Sequence, residues 1–358
     1  MLSTKLRPSD PAAFPFSSTT AEYTSCHEVA LTRTRGDQPQ APARPIRVSE
    51  ETPIELVAEH FRKIARLYDY TIELNKSVSQ DSFPIFRSIL GDIYKVKISD
   101  GSQVAVKCVR CVSHEGDKSL KRAASELEAW RNLSHENIHQ LRGFAIFRGK
   151  LAMISPWMAN GNVIEYLDHH PGVDRYQICK QLAGVVTYLH DQDVVHGDLK
   201  GGNILVSDKG KIKLTDFGLS IMRQSRLDFS DTDLTRGTLR WQAPELMTAT
   251  DQRSKEADVY ALGMTMLEIV TGKPPFEELD FSNVRNLIAV ADQGLRPKRP
   301  IMLLDMYSLV GGHFWQILES CWMHDPHQRA TSQQVYARIL VLSMQHRVQV
   351  AASYYEDH

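Results

Sequence analysis

Hydrophobic and polar positions change their spacing several times along the chain, and each change marks an element. From Ile54 onward apolar residues recur at helical intervals: Ile54, Val57, Phe61, Ile64, Ala65, Tyr68 and Ile72. Thr52-Pro53-Ile54-Glu55 reads as a capping box with proline at the first helical position. The pattern therefore predicts one amphipathic helix over 51–78, whose apolar stripe needs cover from its own domain or from a protein partner. From Phe83 to Arg110 the spacing shortens to that of strands. Ser99-Asp100-Gly101-Ser102 forms a hairpin turn, and Gln103 to Val109 is the return strand. A helix follows from about Lys118 to Leu133, then short strands through Leu151 to Ser155. After Gly161 helical periodicity dominates. It predicts helices over Arg175 to Leu189, Glu256 to Val270, Val284 to Ala291, His313 to Trp322 and Ser332 to His346, with a tail over 347–358. A strand-rich half followed by a helix-rich half predicts an α+β fold of two lobes with a cleft between them. Such clefts commonly hold small ligands.

Composition narrows the classes. A chain of 358 residues can bury one large core or two modest ones. Its 42 Lys and Arg nearly balance 43 Asp and Glu, so bulk charge gives no reason to expect nucleic acid or an anionic membrane as partner. Five cysteines without regular spacing fit a reduced, cytoplasmic setting. Cys108-Val109-Arg110-Cys111 has no second CxxC or CxxH unit beside it, which argues against zinc. Residues 1–50 are rich in Pro, Ser, Thr, Ala and Arg and lack periodicity, the composition of a disordered tail. They show no apolar secretory core, and their sparse acidic content leaves a transit peptide open. The most apolar run, Ala257 to Thr271, carries Asp258 and Glu268 and is too short to span a bilayer, so it reads as a buried core helix.

The stretch from Val194 to Gly218 carries the chemistry. A polar loop leads into a short apolar strand (Asn203 to Val206), a turn at Ser207 to Gly210 and a second strand (Lys211 to Leu214). The hairpin holds Asp198, Asn203 and Asp216 on loops at its ends, beside Lys200. Two carboxylates and an amide converging near a lysine are what phosphoryl transfer from a magnesium-bound nucleotide requires.

His196-Gly197-Asp198-Leu199-Lys200-Gly201-Gly202-Asn203 and Asp216-Phe217-Gly218 resemble the catalytic loop (H-R-D-L-x-x-x-N) and metal loop (D-F-G) of protein kinases. Further motifs follow in the family's order. They are Val104-Ala105-Val106-Lys107 on a strand, Glu126 on the next helix, a hinge at Met153 to Gly161, Ala243-Pro244-Glu245, Asp258 in Asp258-Val259-Tyr260-Ala261-Leu262-Gly263, and Arg329. The resemblance runs from near Phe83 to near His346. It implies a kinase domain over 79–346, with a small lobe over 79–158 and a large one over 159–346.

By that resemblance Lys107 grips the phosphates of ATP and pairs with Glu126, with Glu128 as the alternative partner. Asp198 orients the attacking hydroxyl, Lys200 neutralises charge on the transferred group, and Asn203 and Asp216 hold Mg2+. Gly91 lies over the phosphates. Ile93, Ala105 and Leu205 sandwich the adenine, Ser155 lines the back of its site, and the backbone of Pro156 and Met158 faces its edge. The resemblance also places His196 against Phe217, pairs Glu245 with Arg329, and has Asp258 anchor the catalytic-loop backbone. Lys200 with Gly237-Thr238 resembles serine/threonine kinases, and Cys321-Trp322 with the aromatic hinge resembles the tyrosine-kinase-like branch. The implied function is phosphorylation of Ser and Thr hydroxyls in proteins. Gly197 stands where the family has the arginine that pairs with an activation-segment phosphate, which implies catalysis without such a phosphate. Of the three glycines in G-x-G-x-x-G-x-V only Gly91 is present, with Phe86 and Ser88 at the other two places. That erosion motivates an alternative, a pseudokinase serving as a binding scaffold. H-G-D is also the form found in small-molecule phosphotransferases of the antibiotic-kinase type, which generally lack Lys200, D-F-G and A-P-E.

Overall fold

The computed structural model describes residues 48, 52–63, 65–77, 83–87, 91–109, 119–222, 239–248, 253–301 and 308–356. The tail expected over 1–50 lies outside these residues except for Val48, which is buried in the main core. Ser88, Cys111 and the Gly237-Thr238 pair also lie outside them.

One six-stranded sheet builds the first lobe. Its strands are β1 (Tyr68–Asp69), β2 (Phe86–Arg87), β3 (Gly91–Lys97), β4 (Gln103–Val109), β5 (Gly143–Phe147) and β6 (Lys150–Pro156), in the spatial order β1-β5-β6-β4-β3-β2. All pairs are antiparallel except β1 with β5. Gly101 makes the β3–β4 turn at φ 83°, and Asp100 Oδ1 accepts the Ser102 amide at 2.7 Å. The register pairs Ile93 with Lys107, Ala105 with Ser155, and Tyr94 with Val106. Side chains alternate across a sheet, so Tyr94, Val96, Val104, Val106 and Ile154 are buried together on one face. Ile93, Ala105, Lys107 and Ser155 share the other.

The predicted helix over 51–78 is two helices, α1 (Ile54–Lys63) and α2 (Thr71–Ser77), with β1 between them. The reason is geometric, because the two stripes bury on opposite faces of the sheet. Val57, Ala58 and Phe61 join the main core, with the Phe61 ring 6.0 Å from that of Phe144. Leu74 of α2 packs with Tyr94 and Val96. A straight helix cannot reach both faces. The chain turns at Arg66 (φ 54°) and crosses the sheet edge as β1, and Asp69 Oδ1 accepts the Thr71 amide at 2.9 Å to start α2. Tyr68 and Ile72 keep the helical period by coincidence and are 60% and 71% exposed. The cover for the α1 stripe comes from its own chain.

α3 (Ser119–Arg131) buries Ala123, Ala124, Leu127 and Trp130, and with them Glu126. The second lobe is helical: α4 (Val163–His169), α5 (Arg175–Asp191), α6 (Glu245–Thr248), α7 (Lys255–Thr271), α8 (Val284–Ala291), α9 (Leu309–Cys321) and α10 (Ser332–Glu356). Four short strands, β7 (Val194–Val195), β8 (Ile204–Val206), β9 (Ile212–Leu214) and β10 (Ile221–Met222), frame its loops as two antiparallel pairs. α7 is buried from Ala257 to Val270, capped by Ser254 Oγ at its start and by Gly272 (φ 73°) at its end. α9 starts at Leu309, earlier than predicted, because Ser308 Oγ caps it by accepting the Gly311 amide. The tail expected from 347 is a continuation of α10 to Glu356. Arg347 to Glu356 contains no glycine or proline to stop a helix, and the Arg347 guanidinium donates to Gln177 at 2.6 Å. Among the described residues no helix is long and apolar enough to cross a membrane.

Candidate active site

The β4 register points Lys107 off the sheet toward α3 and the second lobe. Its Nζ stands 2.7 Å from Glu126 Oε1 and 2.8 Å from Asp216 Oδ1. One ammonium thus ties strand, helix and distant loop. Glu128, the alternative partner, binds Arg131 instead at 2.6–2.7 Å. Burial alone would push the Lys107 ammonium down, but the facing Asp216 and Glu126 carboxylates outweigh it and hold it above the ordinary lysine value. Burial raises Glu126, more than Lys107 offsets. Burial would also raise Asp216, yet the Lys107 ammonium keeps that carboxyl below its usual range.

The catalytic loop hangs on α7. Asp258 accepts the amides of His196 (2.7 Å) and Gly197 (2.9 Å), and its Oδ2 lies 3.1 Å from His190 Nε2. This is the backbone anchor the resemblance implied. Asp198 follows, 4% exposed. Its Oδ2 receives Lys200 Nζ at 2.7 Å and Asn203 Nδ2 at 2.8 Å, and the same Nδ2 donates to the Asp198 carbonyl. Asp198 Oδ1 is buried with no hydrogen-bond partner among the described residues. The Asn203 carbonyl accepts the Thr215 amide at 3.0 Å, which brings Asp216 beside this loop.

Asp216 itself is left-handed (φ 69°, ψ 69°), a conformation that costs a non-glycine residue about 1–2 kcal/mol. What holds it is the packing of its neighbour. Phe217 is buried between His196 (ring centroids 5.3 Å) and Trp130 of α3 (5.9 Å). His196 is fully buried, with Nε2 3.1 Å from the Thr215 carbonyl, so it serves the loop's shape. Glu245 and Arg329 form the bidentate pair the sequence suggested, at 2.7 Å for each contact.

Of the nucleotide-site candidates, Ile93, Ala105 and Ser155 share the face that carries Lys107. Leu205 sits on β8, bridged to Asn162 just after the hinge. Pro156 ends β6 opposite Val104, and Trp157 N donates to Gln103 O at 3.0 Å, which leaves Met158 as the first residue beyond the sheet. Gly91 begins β3 opposite Val109, and a Cβ there would lie 2.6 Å from the Cys108 carbonyl oxygen. Close strand approach is sufficient reason for that glycine. Burial pushes the Cys108 thiol up to about 12, which does not suit a thiolate ligand.

These donors fit a magnesium nucleotide. Asn203 spends its Nδ2 on Asp198 and keeps its side-chain Oδ1, and Asp216 keeps its second carboxylate oxygen. Among the described residues no cluster of three or more His, Cys, Asp or Glu could hold a metal alone. Two protein oxygens completed by phosphates and water are the usual magnesium arrangement.

Sequence reasoning missed Glu268 as a site element. Its Oε2 accepts the Gly201 amide (2.8 Å) and the Trp241 indole N–H (2.9 Å), joining the catalytic loop to the segment before Ala243-Pro244-Glu245. The signal was there, an acid near the end of an otherwise apolar helix. Burial pushes Glu268 up to about 7, against the two hydrogen bonds that lower it. A folded-state pKa above the unfolded value means its contribution is complete below about pH 4.5 and lost as pH rises through about 7. Glu268→Gln should therefore gain stability relative to wild type between pH 5.5 and pH 8, by about 2 kcal/mol, read as a narrowing or reversal of any melting-temperature deficit. A pH-independent difference would refute this titration.

A strand-rich lobe and a helical lobe meeting at a lysine, two carboxylates and an amide define a kinase architecture. The chain belongs to the protein kinase family, whose domain model matches residues 89–340. It is 33% identical over 196 residues to a putative L-type lectin-domain containing receptor kinase I.4 of Arabidopsis thaliana, covering 52% of this chain and 28% of that one. It is 29% identical over 244 residues to serine/threonine-protein kinase STY46 of the same plant (67% and 40%). It is 25% identical over 292 residues to serine/threonine-protein kinase BCK1/SLK1/SSP31 of Saccharomyces cerevisiae (79% and 19%). The match thus spans less than half the length of each of these relatives.

Proposed function

We propose that this chain is a protein serine/threonine kinase that transfers the γ-phosphoryl group of ATP to serine and threonine hydroxyls of proteins. The observation that carries it is Lys107 contacting Glu126 and Asp216 at once, the configuration in which lysine, helix glutamate and metal loop are all in place. Asp198 Oδ1, buried and without a described partner, accepts the proton of the attacking hydroxyl. Lys200 and Asn203 hold its other oxygen, so the carboxylate can present Oδ1 in one orientation. Lys200 also lies where charge develops on the transferred group. Lys107 grips phosphate oxygens, and Asn203 and Asp216 would hold Mg2+. Magnesium, when bound, neutralises charge across those oxygens. Ile93, Ala105 and Leu205 line the adenine site, with Ser155 behind it and the backbone of Pro156 and Met158 along its edge.

Independence from an activation-segment phosphate belongs to the same reading and is supported by Gly197. A reducing, intracellular setting is supported by Cys108, Cys179 and Cys321, all free and buried. A scaffold without transfer activity is favoured by one feature, Phe86, exposed beside Ile93 where the family has glycine. Labelled ATP and a generic acceptor protein separate the two. Asp198→Asn should lower transfer by about 10²–10⁴-fold, and wild-type label no higher than the variant's would leave only the scaffold.

A further inference from the structure

The place left by the missing arginine at position 197 is occupied. Gly197 has φ 78°, and a Cβ on it would stand 2.8 Å from Arg253 Cδ, 3.5 Å from Arg253 Nε and 2.9 Å from the Leu219 carbonyl oxygen. Arg253 comes from another part of the chain, one residue before Ser254 caps α7. Its side chain crosses the catalytic-loop backbone at Gly197, and its Nη1 donates to the Leu219 carbonyl at 3.4 Å. Leu219 directly follows Asp216-Phe217-Gly218. Arg253, Gly197, Leu219, Asp198 and Asp258 wall one small cavity of about 60 Å³. The start of α7 therefore holds both loops. Asp258 takes the amides of His196 and Gly197, and Arg253 takes the carbonyl of Leu219.

We propose that Arg253 is a positioning residue for phosphoryl transfer. It fills the volume an arginine at 197 would need and ties the metal loop to the catalytic loop from the N-terminus of α7. The anchor shown here is a main-chain carbonyl, an acceptor present whatever the modification state of the activation segment. At 3.4 Å that hydrogen bond is long, so the packing of the Arg253 stem against Gly197 carries the tie with it. Gly197 and Arg253 form a pair, since a side chain at 197 and the Arg253 stem claim the same space. The proposal rests on the kinase reading for its kinetic readout, while the contact itself can be tested without activity.

The experiment uses the full-length chain with four substitutions: Arg253→Met, Arg253→Lys, Gly197→Arg, and the exchange Gly197→Arg with Arg253→Gly. Arg253→Met should lower kcat about ten- to a hundredfold with KM for ATP within about threefold, as a small misplacement of catalytic groups does. Arg253→Lys should recover part of the loss. Gly197→Arg alone should be impaired, and the exchange should restore part of what it loses, the part due to the Arg253 stem, because the positive φ and the Leu219 carbonyl remain. Alanine at both Thr232 and Thr235, two hydroxyls of the stretch between Asp216-Phe217-Gly218 and Ala243-Pro244-Glu245 that resembles a kinase activation segment, should leave wild-type kcat unchanged. Hydrogen exchange at residues 196–203 and 216–222 should quicken in Arg253→Met with the rest of the chain unaltered. An unchanged kcat and exchange pattern in Arg253→Met, or no recovery in the lysine and exchange variants, would overturn the proposal. So would loss of activity in the double alanine variant with nucleotide binding retained, since transfer would then depend on those hydroxyls. If wild type transfers nothing yet exchange still quickens at those loops, the tie stands and the kinase reading falls.

Discussion

Replacing Lys107 with methionine is expected to remove phosphoryl transfer and, separately, to lower the stability of the fold by about 3 kcal/mol. The two effects have different causes. Activity is lost because no other described ammonium reaches both Glu126 and Asp216. Stability is lost because Glu126 is 3% exposed and would be left as a buried carboxylate without its cation. Burial already raises Glu126 with Lys107 present, so without it the carboxyl should take up a proton more readily. A raised folded-state pKa makes the loss larger at high pH, so the melting-temperature deficit should be greater at pH 8 than at pH 5.5. Adding Glu126→Gln should restore most of the stability and none of the transfer. A Lys107→Met protein with wild-type melting temperature at both pH values would show that the triad is not held as described.

A chain that starts at Gln80 should be far less stable than the full chain, although the family match begins only at residue 89. Removing 1–79 takes away Val57, Ala58, Phe61 and Leu74, all buried, and uncovers Phe144 on one face and Tyr94 and Val96 on the other. Burying a Val, Leu or Phe side chain is worth about 1.5–3 kcal/mol, so the three larger ones give roughly 5–9 kcal/mol, comparable to the whole stability of a domain. The cut also removes β1 and bares the edge of β5, an open template for aggregation. Within the full chain Phe61→Ala should cost about 3–5 kcal/mol in denaturant unfolding. Equal unfolding midpoints for the Gln80 chain and the full chain would mean that α1, β1 and α2 are not part of this fold.

What was legible in the sequence was what chemistry fixes locally. Asp198, Lys200 and Asn203 lie within six residues, and Asp216 follows a hairpin of set length, so type and spacing are constrained together. The choice of Glu126 over Glu128 and the pairing of Glu245 with Arg329, 84 residues apart, followed from the resemblance to protein kinases. Elsewhere the structure adds what no local pattern holds. Tyr68 and Ile72 continued a helical period that the sheet interrupts, because periodicity says nothing about which face of a sheet a stripe must reach. Arg347 to Glu356 is helical despite a weak apolar pattern, since nothing there stops a helix. Gly91 matched a phosphate-loop glycine, while the structure supplies the Cys108 carbonyl as a second demand for it. Arg253 and Glu268 meet loops 56 and 67 residues away in the sequence, and no local pattern encodes those contacts.

The most direct measurement is magnesium-dependent transfer of label from ATP to an acceptor protein, made side by side on wild type and Asp198→Asn and read as phosphoserine, phosphothreonine and phosphotyrosine. The expected result is label on serine and threonine with wild type, abolished by chelating the metal, and close to background with the variant while nucleotide binding persists. Equal label from both proteins, or transfer indifferent to magnesium, would contradict the assignment of Asp198, Asn203 and Asp216 to a common site.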